Sequence, residues 1–307
     1  MRYFKLENFN KETFDLTTEE FFLHDISGLG FEEDNNFLRV GPLWRLESSF
    51  YRQKNITGKM CFTDRGQSTP YEKYWQFIRF INTDPLYLCY WPYGPAGKEY
   101  RKRVRVSCLE KSEINKYGAI DERIEFSPYT AWFERIFAEN SIEESDDKAQ
   151  WIWDQGALWR DSFDDPLPPG GELVRYKFGN ETRNYVDFDV DAGTTGLVKL
   201  TIHGPAVNPL WNHYVDGTLK TTGGMNNSPG LTLSESETLV IDNTTSFHTM
   251  VVINTATGVQ RNVYSLRDFD KKCFIELSGG ANTISVVSGD GEPLKIEMEG
   301  QLYYATV

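Results

Sequence analysis

Four histidines (His24, His203, His213 and His248) and four cysteines (Cys61, Cys89, Cys108 and Cys273) are the residues best suited to nucleophilic, acid–base or metal chemistry in this chain. Nucleophilic catalysis needs a base held beside the nucleophile, but the histidines are scattered and no G-x-S-x-G elbow occurs. His203 and His213 can meet across a hairpin, yet two ligands without a nearby Cys or an H-x-x-x-H pattern make a poor metal site. The cysteines show no C-x-x-C spacing, and Cys89 and Cys108 lie in apolar strand patterns, where a reduced thiol behaves as a small hydrophobe. Neither a Walker loop nor G-x-G-x-x-G is present. No catalytic set, metal or cofactor is expected.

The carboxylates Asp161, Asp164, Asp165, Asp187, Asp189 and Asp191 suggest a different chemistry when set beside Trp151, Trp153, Trp159 and Trp211. Glycoside hydrolysis uses an acid pair, and glycan binding uses aromatic platforms. In an alternating strand, however, Asp187, Asp189 and Asp191 share one face, as they would on a plain solvent-facing edge. The spacing does not separate these readings. A carbohydrate-binding β-sandwich using Trp211 is the runner-up to a non-enzymatic structural role, with a glycoside hydrolase using Asp187 or Asp189 behind it.

Two regions must position these residues. Residues 1 to 140 hold 20 Lys and Arg against 21 Asp and Glu, whereas residues 141 to 307 hold 12 against 24. The acidic second half disfavours contact with nucleic acid or anionic membrane, which needs clustered cations. No apolar signal region follows Met1, and no stretch approaches the ~18 apolar residues of a membrane span, so synthesis in a reducing cytoplasm is expected. The sequons at Asn55, Asn180, Asn226 and Asn243 carry no weight without secretion.

Thr69-Pro70-Tyr71-Glu72 forms a capping box, and Tyr74, Phe77, Ile78 and Ile81 recur at helical spacing, predicting a helix over 70–82. Around it, Phe4 and Leu6, Phe37 to Val40, Trp44 to Phe62, Leu86 to Trp91, Tyr100 to Val106 and Ile120 to Phe126 read as extended segments, with Gly28 to Phe31 a flexible turn. Ile120, Ile124 and Phe126 should share a face with Glu122. Arg103 and Arg105 should be matched across strands by Asp121 and Glu125.

Asp161 to Gly171 is a linker by composition. Short strand patterns follow, at 173–178, 185–190, 196–203, 210–214, 238–241, 249–253, 261–265, 273–277, 281–287 and 294–298. The longest turn signal among them is Gly223 to Gly230. The expected architecture is mainly β: an α+β N-terminal domain over 1–135 with one clear helix, a linker over 136–171, and an antiparallel sandwich over 172–307.

The order of these segments resembles the phage distal tail protein (Dit) family. Gly28-Leu29-Gly30-Phe31, the helix Tyr71 to Ile81, Leu86 to Tyr93, Tyr100 to Val104, Leu109-Glu110-Lys111, Gly118 to Phe126 and Tyr129 to Phe133 carry the resemblance. Asn208 to Trp211, Glu237 to Asn243, Phe274 to Leu277 and Gly280 to Asn282 continue it in the second half.

The resemblance implies a hexameric ring of N-terminal domains beneath the tail tube, with a galectin-like C-terminal sandwich facing receptor-binding or other baseplate components. The implied partners are the chain itself, the major tail tube protein and a tail-associated tip protein, in the virion tail. The galectin sugar motif is not matched, because Asn208-Pro209 runs into Leu210. A closed ring needs two complementary patches per protomer. Trp44, Phe50, Tyr51, Arg103 and Arg105 are the candidate subunit-interface residues.

Overall fold

The computed structural model describes residues 2–30, 32–52, 54–66, 68–140, 150–152, 174–176, 185–245, 247–290 and 294–304, with backbone alone at Tyr51 and in 150–152 and 174–176. Most of the expected linker, including Asp161 to Gly171, lies outside the described residues, as do the side chains of Trp151, Trp153 and Trp159. The chain forms two units. Unit 1 comprises Met1–Ile136, Asp191–Leu197 and Gly300–Val307, and unit 2 comprises Phe137–Val190 and Val198–Glu299. The fold is mainly β with antiparallel pairing and one α-helix among the described residues.

Unit 1 is built on strands β1 (Tyr3–Glu7), β2 (Thr13–Asp15), β3 (Phe21–Ser27), β4 (Glu32–Val40), β5 (Leu43–Arg52) and β6 (Ile56–Phe62). The helix α1 (Pro70–Ile81) follows, then β7 (Leu86–Trp91), β8 (Tyr100–Leu109), β9 (Ile120–Pro128) and β10 (Trp132–Glu139). The helix forms where the capping box predicts. Thr69 Oγ1 accepts from the Glu72 amide at 3.3 Å, and the Glu72 carboxylate accepts from the Thr69 amide at 2.8 Å. Its stripe buries Tyr74 and Phe77, with the Phe77 ring 5.7 Å from Phe62 and 5.2 Å from Phe14. Lys73 is also fully buried. Its ammonium donates to the Thr63 carbonyl at 3.1 Å and to the Arg65 carbonyl, which satisfies a group that burial would otherwise penalise.

Strand β1 pairs with β2 and β7, β7 with β8, β8 with β9 and β10, β9 with β6, and β6 with β3. Period-two alternation turns Ile120, Ile124 and Phe126 into a core with Ile56, Met60, Phe62 and Trp132. Glu122 shares that face as expected, and it is kept there by the Ser112 amide at 2.7 Å and by the Ser112 hydroxyl. Gly28 is required where it stands. It has φ +86°, and a Cβ would lie 2.2 Å from the Asn55 carbonyl oxygen.

The expected pairing of Arg103 and Arg105 with Asp121 and Glu125 is not formed. The register sets Arg105 opposite Ser127 and, past a bulge between Val106 and Cys108, Glu125 opposite Cys108, while Asp121 and Glu125 face Cys61 and Thr57 on β6. Asp121 instead bonds His24 Nε2 at 2.9 Å, and Glu125 accepts from Asn55 at 2.6 Å and Arg123 at 3.2 Å.

Unit 2 draws on β11 (Gln150–Ile152), β12 (Val174–Tyr176), β13 (Tyr185–His203), β14 (Ala206–Val207), β15 (Leu210–Val215), β16 (Thr218–Gly224) and β17 (Thr232–Leu233). It continues through β18 (Glu237–Asp242), β19 (Thr249–Asn254), β20 (Gln260–Asn262), a 3-10 turn (Tyr264–Leu266), β21 (Glu276–Val287) and β22 (Ile296–Tyr304), of which β13 and β22 also supply unit 1. Strand β15 lies between β16 and β21, and β18 between β13 and β19.

The expected segments 185–190 and 196–203 are one strand, and Gly223-Gly224 closes β16 rather than opening a turn. The reason is a close approach: a Cβ on Gly223 would lie 2.2 Å from the Trp211 indole, so only glycine leaves room for the ring.

Candidate assembly interface

The residues with chemical potential are placed in structural roles. His24 bonds Asp121, His203 bonds Glu297 at 3.0 Å, and His213 is fully buried with its Nε2 2.9 Å from Asn282 Oδ1. Burial pushes the His213 pKa down, and the Asn282 bond only partly opposes it. All four cysteines are free. Burial pushes the Cys61 thiol up to about 11 and raises Cys89 further, which leaves both unsuited to act as nucleophiles at neutral pH.

Trp211, the expected sugar platform, has no exposed surface, and its indole N–H donates to the Cys273 carbonyl at 2.7 Å. Asp187 and Asp189 are exposed, and Asp187 accepts from the Thr283 hydroxyl at 2.6 Å. Among the described residues no three His, Cys, Asp or Glu side chains group as metal ligands would, and no helix is long and apolar enough to cross a membrane.

Unit 1 presents a contrasting surface. Strands β4 and β5 pair only with each other and form a separate two-stranded ribbon from Glu32↔Arg52 to Val40↔Leu43. It exposes Phe37, Leu38, Val40, Leu43, Trp44, Leu46 and Phe50, each with more than half of its surface open. A lone hairpin is marginal in water, and alternation leaves apolar side chains exposed on both of its faces, Phe37, Trp44 and Leu46 on one and Leu38, Val40 and Leu43 on the other, which marks a site meant to be covered.

Of the five candidates, Trp44, Phe50 and Tyr51 lie along β5, where Trp44 lies opposite Arg39 and the Arg39 guanidinium sits 6.0 Å from its ring. Tyr51 pairs through its backbone with Glu33, and its side chain lies outside the described residues. Arg103 and Arg105 stand apart on β8. Arg103 bonds Asp84 at 3.2 Å and lies over the Tyr129 ring at 5.9 Å, while exposed Arg105 makes no ion pair among the described residues.

Sequence reasoning found the extended aromatic run but missed the exposed aliphatic partners on β4. The alternation there gave no sign of which face would lack a neighbour. It also missed the Lys111 ammonium seated among the Tyr71, Tyr74 and Trp75 rings at 5.4, 5.7 and 5.4 Å.

The family model for the distal tail protein N-terminal domain matches residues 3–129, which contain the ribbon, the helix and strands β1 to β9. That stretch of the chain is similar to the N-terminal domain of phage distal tail proteins. The likeness to distal tail proteins therefore lies in unit 1, which holds the exposed ribbon.

Over its whole length the chain resembles solved structures. It covers 100% of a chain from the phage p2 baseplate in its activated conformation with Sr, and 100% of this chain is covered in turn, at 15% identity and a TM-score of 0.67. The same baseplate with Ca gives a TM-score of 0.66 at 15% identity with full coverage of both chains. The SPP1 Dit protein, described as a hub of the adsorption apparatus in phages infecting Gram-positive bacteria, gives 0.56 at 6% identity, covering 98% of this chain and 99% of its own. At such identities the likeness is one of fold. No curated protein matches.

Proposed function

We propose that the protein is a structural adaptor of the baseplate hub in the virion tail, with unit 1 closing into a homohexameric ring between the tail tube and tip or receptor-binding components. The observation that carries this reading is the β4–β5 ribbon with its seven exposed apolar side chains on a domain similar to that of distal tail proteins. A ring is a heterologous interface, and a projecting ribbon is suited to reach a different patch on the next copy. Covering Trp44, Phe50 and their neighbours contributes roughly 1.5–3 kcal/mol per large side chain, enough in sum to offset the cost of association. Trp44, Phe50, Tyr51, Arg103 and Arg105 are the proposed contact residues. The role is non-enzymatic, with no cofactor, membrane or specific nucleic acid.

The glycan-binding alternative loses its platform, because Trp211 is sealed in the core of unit 2. Mass photometry of the purified chain across concentrations should show a hexamer. Trp44→Ser with Phe50→Ser should shift it to monomer while the melting temperature of the monomer stays within ~2 °C, because both side chains are already exposed. A hexamer unaffected by the double change removes the ribbon from the interface. A parent that remains monomeric at every concentration removes the ring.

A further inference from the structure

Unit 2 carries a series of neighbouring planar groups that runs outward from the buried Phe274. His248 lies 4.5 Å from Phe274, Phe274 is stacked 6.2 Å from Tyr264 at 29°, and the Arg267 guanidinium sits 4.1 Å from the Tyr264 ring. The Phe269 ring also lies 4.8 Å from the Arg267 guanidinium and is 58% exposed.

The Arg267 guanidinium is therefore in contact with two aromatic rings. Its Nε is shut off from solvent without a hydrogen-bond partner, and its side chain makes no hydrogen bond or ion pair with any described residue. The neighbouring charges are already matched: Lys271 with Asp268 at 3.1 Å, Lys272 with Glu276 at 3.1 Å, and Arg261 with Glu237 at 3.3 Å. Arg267 is left as the unmatched cation of the 261–272 segment, in a half of the chain whose balance is otherwise acidic.

A guanidinium packed against aromatic rings, with its Nε buried and no ion pair at its terminal nitrogens, can receive a carboxylate end-on at those two nitrogens through two parallel hydrogen bonds. Tyr, Phe and Arg around one anchor are the composition of protein-recognition hot spots, whereas a saccharide site would be expected to present an open platform such as Trp211, which is buried. We propose that this series of planar groups docks an acidic segment of a partner protein. An Asp or Glu side chain is received by Arg267, and an adjacent apolar side chain by Phe269. The inference rests on unit 2 alone and does not require ring closure.

The test is fluorescence anisotropy with the full chain and an acetylated, amidated decapeptide of alternating Glu and Leu, against the same peptide with Gln for Glu. Oligomeric state is recorded on the same samples, so that failure of the ring is read separately. The Glu peptide should bind saturably and about tenfold tighter than the Gln peptide. Arg267→Gln should weaken it about tenfold, and Arg267→Lys by a smaller factor, because the ammonium lacks the fork.

Lys220→Gln, which removes an exposed charge on β16, should leave binding unchanged. Phe269→Ser, at an exposed position, should weaken binding about threefold and keeps the test decisive if Arg267→Gln fails to fold. The proposal is overturned by equal binding of the two peptides, by parent-like binding of Arg267→Gln, by no saturable binding, or by preference for an oligogalacturonate over the Glu peptide.

Discussion

Lys102 extends from β8 on the same face as Val104, opposite Leu88 of β7, with 3% of its surface exposed and its ammonium 5.2 Å from the Trp132 ring. No carboxylate pairs with it among the described residues, and burial lowers its pKa from 10.5 to about 8. The unfolded chain therefore holds this proton more tightly than the folded one. The resulting penalty on folding is full below pH 8, shrinks as pH rises, and is gone above 10.5. The ring recovers part of it through the cation–π contact. Lys102→Met should stabilise unit 1 by roughly 2 kcal/mol at pH 7, and the gain over the parent should fade by pH 10.5 in urea titrations run at both pH values. A gain that stays constant with pH would mean that packing, not charge, sets the difference. Nothing in the sequence singled out Lys102 from its neighbours Arg101 and Arg103. Arg101 is matched by a bidentate bond to Glu7 at 2.7 and 3.0 Å, a pairing across 94 positions that no local pattern announces.

The elements were legible in proportion to how local their causes are. Helix α1 is specified within its own turns by the Thr69–Glu72 box, Pro70 and the stripe through Tyr74 and Phe77, so its ends could be read directly. Thr69→Ala should cost about 1 kcal/mol, read as a lower unfolding midpoint in urea with an unchanged slope, since one amide at the helix start loses its acceptor. Elements whose cause is distant were misread. Gly223-Gly224 has turn composition, and only the Trp211 ring across β15 explains why it remains a strand. Arg103 and Arg105 have the alternation of a matched row, but the β8–β9 register sets Arg105 opposite Ser127, two residues past Glu125. For the ribbon, the extended run was visible at Trp44 to Phe50. That it would lack a covering neighbour within the chain was not, because exposure is set by the rest of the fold.

Across the molecule, unit 1 takes in chain that is far away in sequence. Tyr304 lies 5.5 Å from the Tyr100 ring, and its hydroxyl donates to Glu134 at 3.0 Å. Burial, reinforced by that bond, pushes the Tyr304 pKa well above the ordinary phenol value. A fragment ending at residue 299 should therefore melt several degrees below the full chain in its unit 1 transition, and Tyr304→Phe should lose only the share of the hydroxyl bond, about 1 kcal/mol. An unchanged transition in the shortened chain would show that unit 1 folds without its returning segment after residue 299.

The ribbon has one more consequence, for behaviour in solution. The chain's net charge of -13 should keep copies apart, but the residues up to 140, which include the ribbon, contribute only -1 of it. Electrostatic repulsion thus resides mostly in the half without the ribbon, and at physiological ionic strength it reaches only about 8 Å. Adding salt should therefore drive the free chain toward association, not disperse it, and light scattering during purification should be lowest in dilute buffer.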